Sequence, residues 1–124
     1  MELRHKSWSD DPNIAQILRE NKVAWVQLDE PKFSSSIEQE LPLTSDIAYF
    51  RYHGRNREMW WNGDVENRYK YLYSEDEIIE LTNKVQSTTE KTQLLFAFFN
   101  NHWQCYAPRN ATDMKTALQL TLSD

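Results

Sequence analysis

The chain of 124 residues predicts an α/β fold built on a parallel sheet. Three observations carry that expectation. The run Leu94-Leu95-Phe96-Ala97-Phe98-Phe99 turns abruptly polar at Asn100-Asn101-His102, as a strand buried on both faces does when it surfaces at its C-terminal end. Pro108 then stands where a helix would start. Upstream, β-rich runs and helical stripes follow one another in the order β-α-β-β-α-β-α, and such alternation implies parallel strands. The polar residues after the strands therefore lie on the face where α/β sheets bind ligands.

Each element has its own signal. Met1 to His5 is too short to classify alone; the tail of a strand is one reading. Asp10 or Asp11 caps a helix with Pro12 near its first position, and Ile14, Ile17 and Leu18 give its apolar stripe, ending about Asn21. Val23 to Leu28 is a β-rich run that ends at Asp29, before Pro31. Residues 32–46 read as loop, and 30–46 is just long enough to cross over between parallel neighbours. Ile47 to Tyr52 is the next strand, ending at His53-Gly54. A loop of some 20 residues, Gly54 to Tyr73, follows. Its Trp60, Trp61, Tyr69, Tyr71 and Tyr73 argue for order, and loops of that length are commonly functional. Ser74 and Glu77 form a capping box for a helix whose buried stripe is Ile78, Leu81 and Val85, fading by Thr88-Thr89. The last helix runs from about Pro108 to Leu120, with Met114, Ala117 and Leu118 inward.

Composition narrows the function classes. Hydrophobic residues make up 40%, enough for one core, and the length fits one domain at most. Two glycines exclude a Gly-rich phosphate loop. A net charge of -5 opposes a surface that coats nucleic acid or adsorbs to membranes, while leaving room for a local basic site. The single Cys105 makes no internal disulfide and reads as a small loop residue. No run is long enough to span a bilayer and no signal-peptide pattern opens the chain, so a cytoplasmic location is expected.

Four parallel strands would bring Arg4 and His5, Asp29, Arg51 and His53, and Asn100, Asn101 and His102 to one face. Arg51 reads either as an anion ligand or as the ion-pair partner of Asp29 on the neighbouring strand. His53 and His102 suit proton transfer. With His5 and Asp29 they could ligate a metal, but no tight ligand spacing supports one, so no metal or cofactor is assigned. Asn100 and Asn101 would orient a ligand or serve turn chemistry. From Arg51 to Lys70 five basic residues stand against three acidic ones (Glu58, Asp64, Glu66). Basic residues interleaved with Trp60 and Tyr71 suit a sugar phosphate or a single-stranded nucleic acid; the other reading is a lid packed by its own aromatics. Asn110-Ala111-Thr112 fits a glycosylation pattern that has no meaning without secretion.

Arg4-His5-x-Ser7-Trp8, Tyr49-x-Arg51-x-His53-Gly54-Arg55, Tyr69-x-Tyr71-x-Tyr73, Phe99-Asn100-Asn101-His102 and Ala107-x-x-Asn110-Ala111 occur in the order seen in YecE-like proteins, the "domain of unknown function 72" family. The resemblance runs from Met1 to about Leu118. It implies parallel β/α units like the C-terminal half of a TIM-type barrel, and it implies no reaction. It also implies that Asn110 ties the loop to the last helix. Such barrels run to about 250 residues, so residues 1–124 would be a single partial domain without the N-terminal half. A half barrel leaves open sheet edges and an exposed apolar inner face, to be covered by a partner or a second copy. Three functions follow as expectations. The first is a site for a small anionic ligand such as a sugar phosphate. There Arg51 and Arg55 hold the anion, His53 and His102 move protons, Asn100 and Asn101 orient the ligand, and Arg4, His5, Asp29, Trp60, Tyr71 and Asn110 lie around it. The second is a nucleic-acid-binding loop over 54–73, disfavoured by the acidic charge. The third is a fragment without activity of its own.

Overall fold

The structure, a computed structural model, describes residues 1–122. Its elements are α1 (Lys6–Asp10), α2 (Pro12–Glu20), β1 (Gln27–Asp29), β2 (Ile47–Tyr52), α3 (Val65–Arg68), α4 (Glu75–Thr89), β3 (Leu94–Phe99), a 3-10 turn (Trp103–Cys105) and α5 (Tyr106–Leu122). The strands form one sheet in the order β1-β2-β3, both pairs parallel. The expected parallel α/β architecture is present, with three strands in the ladder and not four.

The fourth expected strand, Met1 to His5, is an extended strip. Its backbone bonds are scattered over three neighbours: Met1 N to Ala24 O (2.6 Å), Val26 N to Met1 O (2.9 Å) and Ile37 N to Arg4 O (2.8 Å). β1 is likewise shorter than the run that announces it. Thr44 Oγ1 accepts from Trp25 N (3.0 Å) and donates to Val23 O (2.6 Å), so a side chain takes the place of ladder partners there. α1 was not expected; His5 Nδ1 caps it by accepting from Ser7 N at 3.2 Å. α2 and α4 follow their signals. Asp11 accepts from Asn13 N, and the Ser74–Glu77 capping box closes in both directions. α5 starts two residues before Pro108, which still lies in the first turn, where no backbone donor is needed.

α4 and α5 cover one face of the sheet. Ala48, Phe50 and Tyr52 of β2 pack there with Tyr73, Ile78, Leu81, Val85 and Met114. A second cluster joins the first 41 residues: Leu18, Trp25, Val26, Leu28, Ile37 and Leu41, with Tyr49 partly buried against it. The 30–46 crossover carries no helix. On the opposite sheet face Ile47, Leu94, Phe96 and Phe98 are 42%, 49%, 39% and 45% exposed. This overturns the reading of β3, from its apolarity alone, as buried on both faces, and it agrees with the exposed apolar inner face that the family resemblance implied for a half barrel. Helices α4 and α5 cover only one side; on the other, Leu28 and Tyr49 pack with the second cluster while the β3 side chains there and Ile47 stay exposed.

The long loop is ordered from within. Asn56 Nδ2 donates to Asn67 O (3.1 Å) and Lys70 O (3.0 Å), and Trp60 is buried. Gly54 opens it with φ +87, and a Cβ there would lie 2.6 Å from Cβ of Tyr71. Both the left-handed backbone and the close approach require glycine. Gly54→Ala is expected to cost about 2 kcal/mol, read as a lower urea midpoint at unchanged slope. An unshifted midpoint would contradict it.

Candidate functional site

The C-terminal ends of the strands and the leading strip meet in one polar group. Glu2 and Arg4, two residues apart on an extended segment, share a side. Arg4 Nε donates to Glu2 Oε1 at 2.8 Å. From β2, Arg51 Nη1 donates to Glu2 Oε2, and Arg51 Nε donates to Asn100 Oδ1 at 3.2 Å. Two guanidiniums thus converge on one carboxylate. Burial alone would raise the Glu2 carboxyl, but hydrogen bonds from Arg4 and Arg51 outweigh it and hold it below its ordinary value.

His53 lies beneath, 1% exposed. Arg4 Nη2 is 3.1 Å from its Nε2. Guanidinium only donates, so Nε2 accepts and Nδ1 carries the proton; Nδ1 is buried with no hydrogen-bond partner among the described residues. Burial, then the charges of Arg4 and Arg51, lower His53 to about 4. The ring is therefore neutral at pH 7. Its neighbours are Tyr69 (5.6 Å between ring centroids) and Trp60 (6.5 Å). Tyr69 also meets His102 at 5.6 Å. His102 is exposed, and its Nδ1 lies 2.9 Å from Asn100 O. A carbonyl only accepts, which places the proton on Nδ1 and leaves Nε2 as the ring's acceptor.

Beside this group opens a cavity of about 270 Å³ lined by Arg4, His5, Glu30, Ser35, Trp60 and Arg68 among others. Glu30 is 7% exposed, and burial raises its carboxyl despite the opposing pull of Arg4 at 3.8 Å.

The remaining sequence candidates belong to two other networks. One of the two readings of Arg51 paired it with Asp29; the structure pairs Asp29 with Arg55. Arg55 donates from Nε (3.0 Å) and Nη2 (2.7 Å), and Tyr73 OH adds a third bond at 2.7 Å. The register explains the change. Asp29 pairs with Tyr52 and shares its face, whereas Arg51 points to the other face. Arg55 also meets Glu77 at 3.2 Å and Glu80 at 3.4 Å, so its guanidinium is surrounded by carboxylates and does not join Arg51. Tyr71 donates to Glu77 (2.8 Å); burial, then that bond, push its hydroxyl up to about 12. Asn101 and Asn110, both fully buried, form the third node. Asn110 Oδ1 accepts from Tyr73 N (3.0 Å) and Asn101 Nδ2 (2.9 Å), and Asn101 Nδ2 also donates to Tyr71 O (2.8 Å). They tie the end of the long loop to β3 and α5.

The cations of the loop pack on the chain's own rings. Arg57 lies over Phe33 (4.6 Å), Arg68 over Trp60 (5.9 Å) and Lys70 over Trp103 (3.9 Å). Among the described residues no group of three or more His, Cys, Asp or Glu could hold a metal, and no helix is long and apolar enough to cross a membrane. Sequence reasoning missed Glu2, Glu30 and the contact role of Tyr69. The alternation of Glu2 with Arg4 was the one signal available for Glu2.

Parallel β/α units, helices on one face and polar side chains at the strand ends define part of a TIM-type β/α barrel. The chain belongs to the family described as "Protein of unknown function DUF72", whose model matches residues 1–124. It is 28% identical over 133 residues to the UPF0759 protein YunF of Bacillus subtilis, covering 99% of this chain and 47% of that protein. A solved DUF72 family protein from Thermotoga maritima superposes with a TM-score of 0.87 at 38% identity, over 94% of this chain and 44% of its own. One from Enterococcus faecalis gives 0.83 at 31%, over 95% and 46%. The chain thus spans about half the length of the relatives it matches.

Proposed function

We propose that the strand-end face binds a small polar ligand through an anionic group held by Arg4 and Arg51. The supporting observation is the convergence of both guanidiniums on the Glu2 carboxylate, which already has the chemistry of the group they would receive. A ligand phosphate or carboxylate would exchange with Glu2. Asn100 fixes the Arg51 fork, and neutral His53 fixes Arg4 from below. His102 is the imidazole suited to accept a proton from a ligand hydroxyl, because it is exposed and its Nε2 is the acceptor. The adjacent cavity, with Trp60 as a wall, has room for the rest of a sugar-sized molecule.

Inorganic phosphate, titrated while amide NMR shifts are followed, tests this. Shifts are expected at residues 2–4, 51–53 and 100–102. Arg51→Ala should weaken binding by about tenfold, the loss of one charge-assisted pair, and Glu2→Gln should strengthen it. Binding unchanged in Arg51→Ala, or no shifts at these positions, would end the proposal. The nucleic-acid reading gains no supporting observation, since the loop's basic residues are engaged by its own aromatics and carboxylates.

A further inference from the structure

We propose that the cavity beside the Arg4–Arg51 group is a subsite for the hydroxyl groups of a monosaccharide-sized sugar phosphate, with Glu30 and Arg68 as the residues that select it. This rests on the reading that Arg4 and Arg51 hold the anion, and it adds what meets the other end of the ligand. Two buried polar atoms without partners carry it. Glu30 Oε2 and Arg68 Nε are both withdrawn from solvent, and neither has a hydrogen-bond partner among the described residues. Both residues line the same cavity of about 270 Å³.

Buried polar groups are nearly always hydrogen-bonded, so each exception calls for a partner. These two are of opposite kind. A carboxylate oxygen accepts, and a guanidinium N–H donates. A single ligand that satisfies both presents a donor and an acceptor inside one small cavity. Hydroxyl groups do both, and a sugar carries several on one ring. Glu30 is held in place from behind, because Gln39 Nε2 donates to its backbone oxygen at 3.2 Å. Burial raises its carboxyl; the charge of Arg4 opposes the rise, and no hydrogen bond does. Arg68 closes α3 with its guanidinium over the Trp60 ring at 5.9 Å. Trp60 gives the cavity an aromatic wall for the C–H face of a sugar ring.

Size and charge narrow the class further. Pockets for drug-sized ligands run from about 300 to 1,000 Å³. At about 270 Å³ this one suits a monosaccharide and not a nucleotide. The Glu30 carboxyl disfavours a second anion in the cavity, so the charge of the ligand belongs with the guanidiniums. Arg4 joins the two parts: its Nε donates to Glu2 Oε1 at 2.8 Å, and its Nη1 lies 3.8 Å from Glu30 Oε2. The ligand therefore has one polarity, with its anion toward Arg51 and its hydroxyls toward Glu30 and Arg68.

Amide NMR titrations of the full chain test this, with inorganic phosphate, ribose 5-phosphate, glucose 6-phosphate and uridine 5′-monophosphate as probes. The readout is the affinity for each organic phosphate divided by that for phosphate, taken within one variant, so that changes in the grip on the anion cancel. One of the two sugar phosphates should bind about tenfold tighter than phosphate, the gain of a charge-assisted hydrogen bond. Glu30→Met and, separately, Arg68→Lys should bring that ratio close to one. Glu30→Gln, which keeps an acceptor oxygen, should retain part of the preference. Arg51→Ala should weaken phosphate and sugar phosphate together. Far-UV circular dichroism checks that each variant is folded. Phosphate binding that depends on Arg51, with no preference for either sugar phosphate, would overturn the subsite and leave the anion site standing. A preference that survives both Glu30→Met and Arg68→Lys would do the same, and tightest binding of uridine 5′-monophosphate would overturn it in favour of a nucleotide. Failure of every probe to bind would overturn the anion site and the subsite together.

Discussion

Asp29→Ala is expected to lower the unfolding free energy by about 4 kcal/mol, within the range for breaking a buried ion pair from one side. Asp29 is 6% exposed and accepts from both Arg55 and Tyr73. Removing it leaves the Tyr73 hydroxyl without an acceptor at the centre of the core. It also leaves the Arg55 guanidinium, whose pKa is raised chiefly by the Asp29 hydrogen bond, to Glu77 and Glu80 alone. Urea unfolding at pH 7 measures the loss. The double variant Asp29→Ala/Arg55→Met should lose clearly less than the two single losses added together, because each single change strands the other partner. Strict additivity, or a loss below about 1 kcal/mol for Asp29→Ala, would mean the pair is effectively a surface contact.

Acidification is expected to destabilise the chain through His53. Its folded value is about 4, against 6.5 for an exposed imidazole. Between these values the unfolded chain binds a proton that the folded chain refuses, so stability rises with pH there and is full above 6.5. The loss on descending to pH 4 is about 3 kcal/mol, at about 1.4 kcal/mol per unit. Glu2 acts in the same sense further down. Its folded value is depressed, so its contribution is present above the ordinary carboxylate value and is lost as pH falls through the folded one. Comparison with His53→Gln isolates the imidazole, since the amide oxygen can still accept from Arg4. Urea midpoints at pH 7 and pH 4.5 should move apart in the parent and much less in the variant. Equal slopes in both would show that His53 does not titrate in this window.

Elements with strong local causes were legible in the sequence. The Ser74–Glu77 box, Asp11 before Pro12, and the runs at 47–52 and 94–99 each became the element they announced. What escaped was decided by distant partners. Thr44 intercepts the backbone of 23–25, so a β-rich run yields a three-residue strand. Side-chain alternation places Asp29 and Arg51 on opposite faces, which a list of strand-end residues does not reveal. Residues 94–99 read as doubly buried because all six are apolar. Apolarity records what a strand is suited to meet, and only the three-dimensional arrangement shows what meets it. At the site, Arg51, His53 and Asn100 were found because they end strands. Glu2 was missed because only the last residues of the leading strip, Arg4 and His5, were read as its polar end, although alternation puts Glu2 on the side of Arg4.

The hexapeptide of β3 has a second competence. LLFAFF carries no charge, proline or glycine, is rich in aromatic residues, and presents alternate side chains outward beside an open backbone edge. These are the attributes of a steric-zipper segment, able to stack on copies of itself in cross-β order. The nearest charge on its N-terminal side is Lys91, and Asn100, Asn101 and His102 follow it, so no gatekeeper residue directly flanks it. Pairing of this edge with any other strand and fibril growth would therefore compete for the same six residues. The balance would be set by concentration and by how quickly the edge is capped after synthesis.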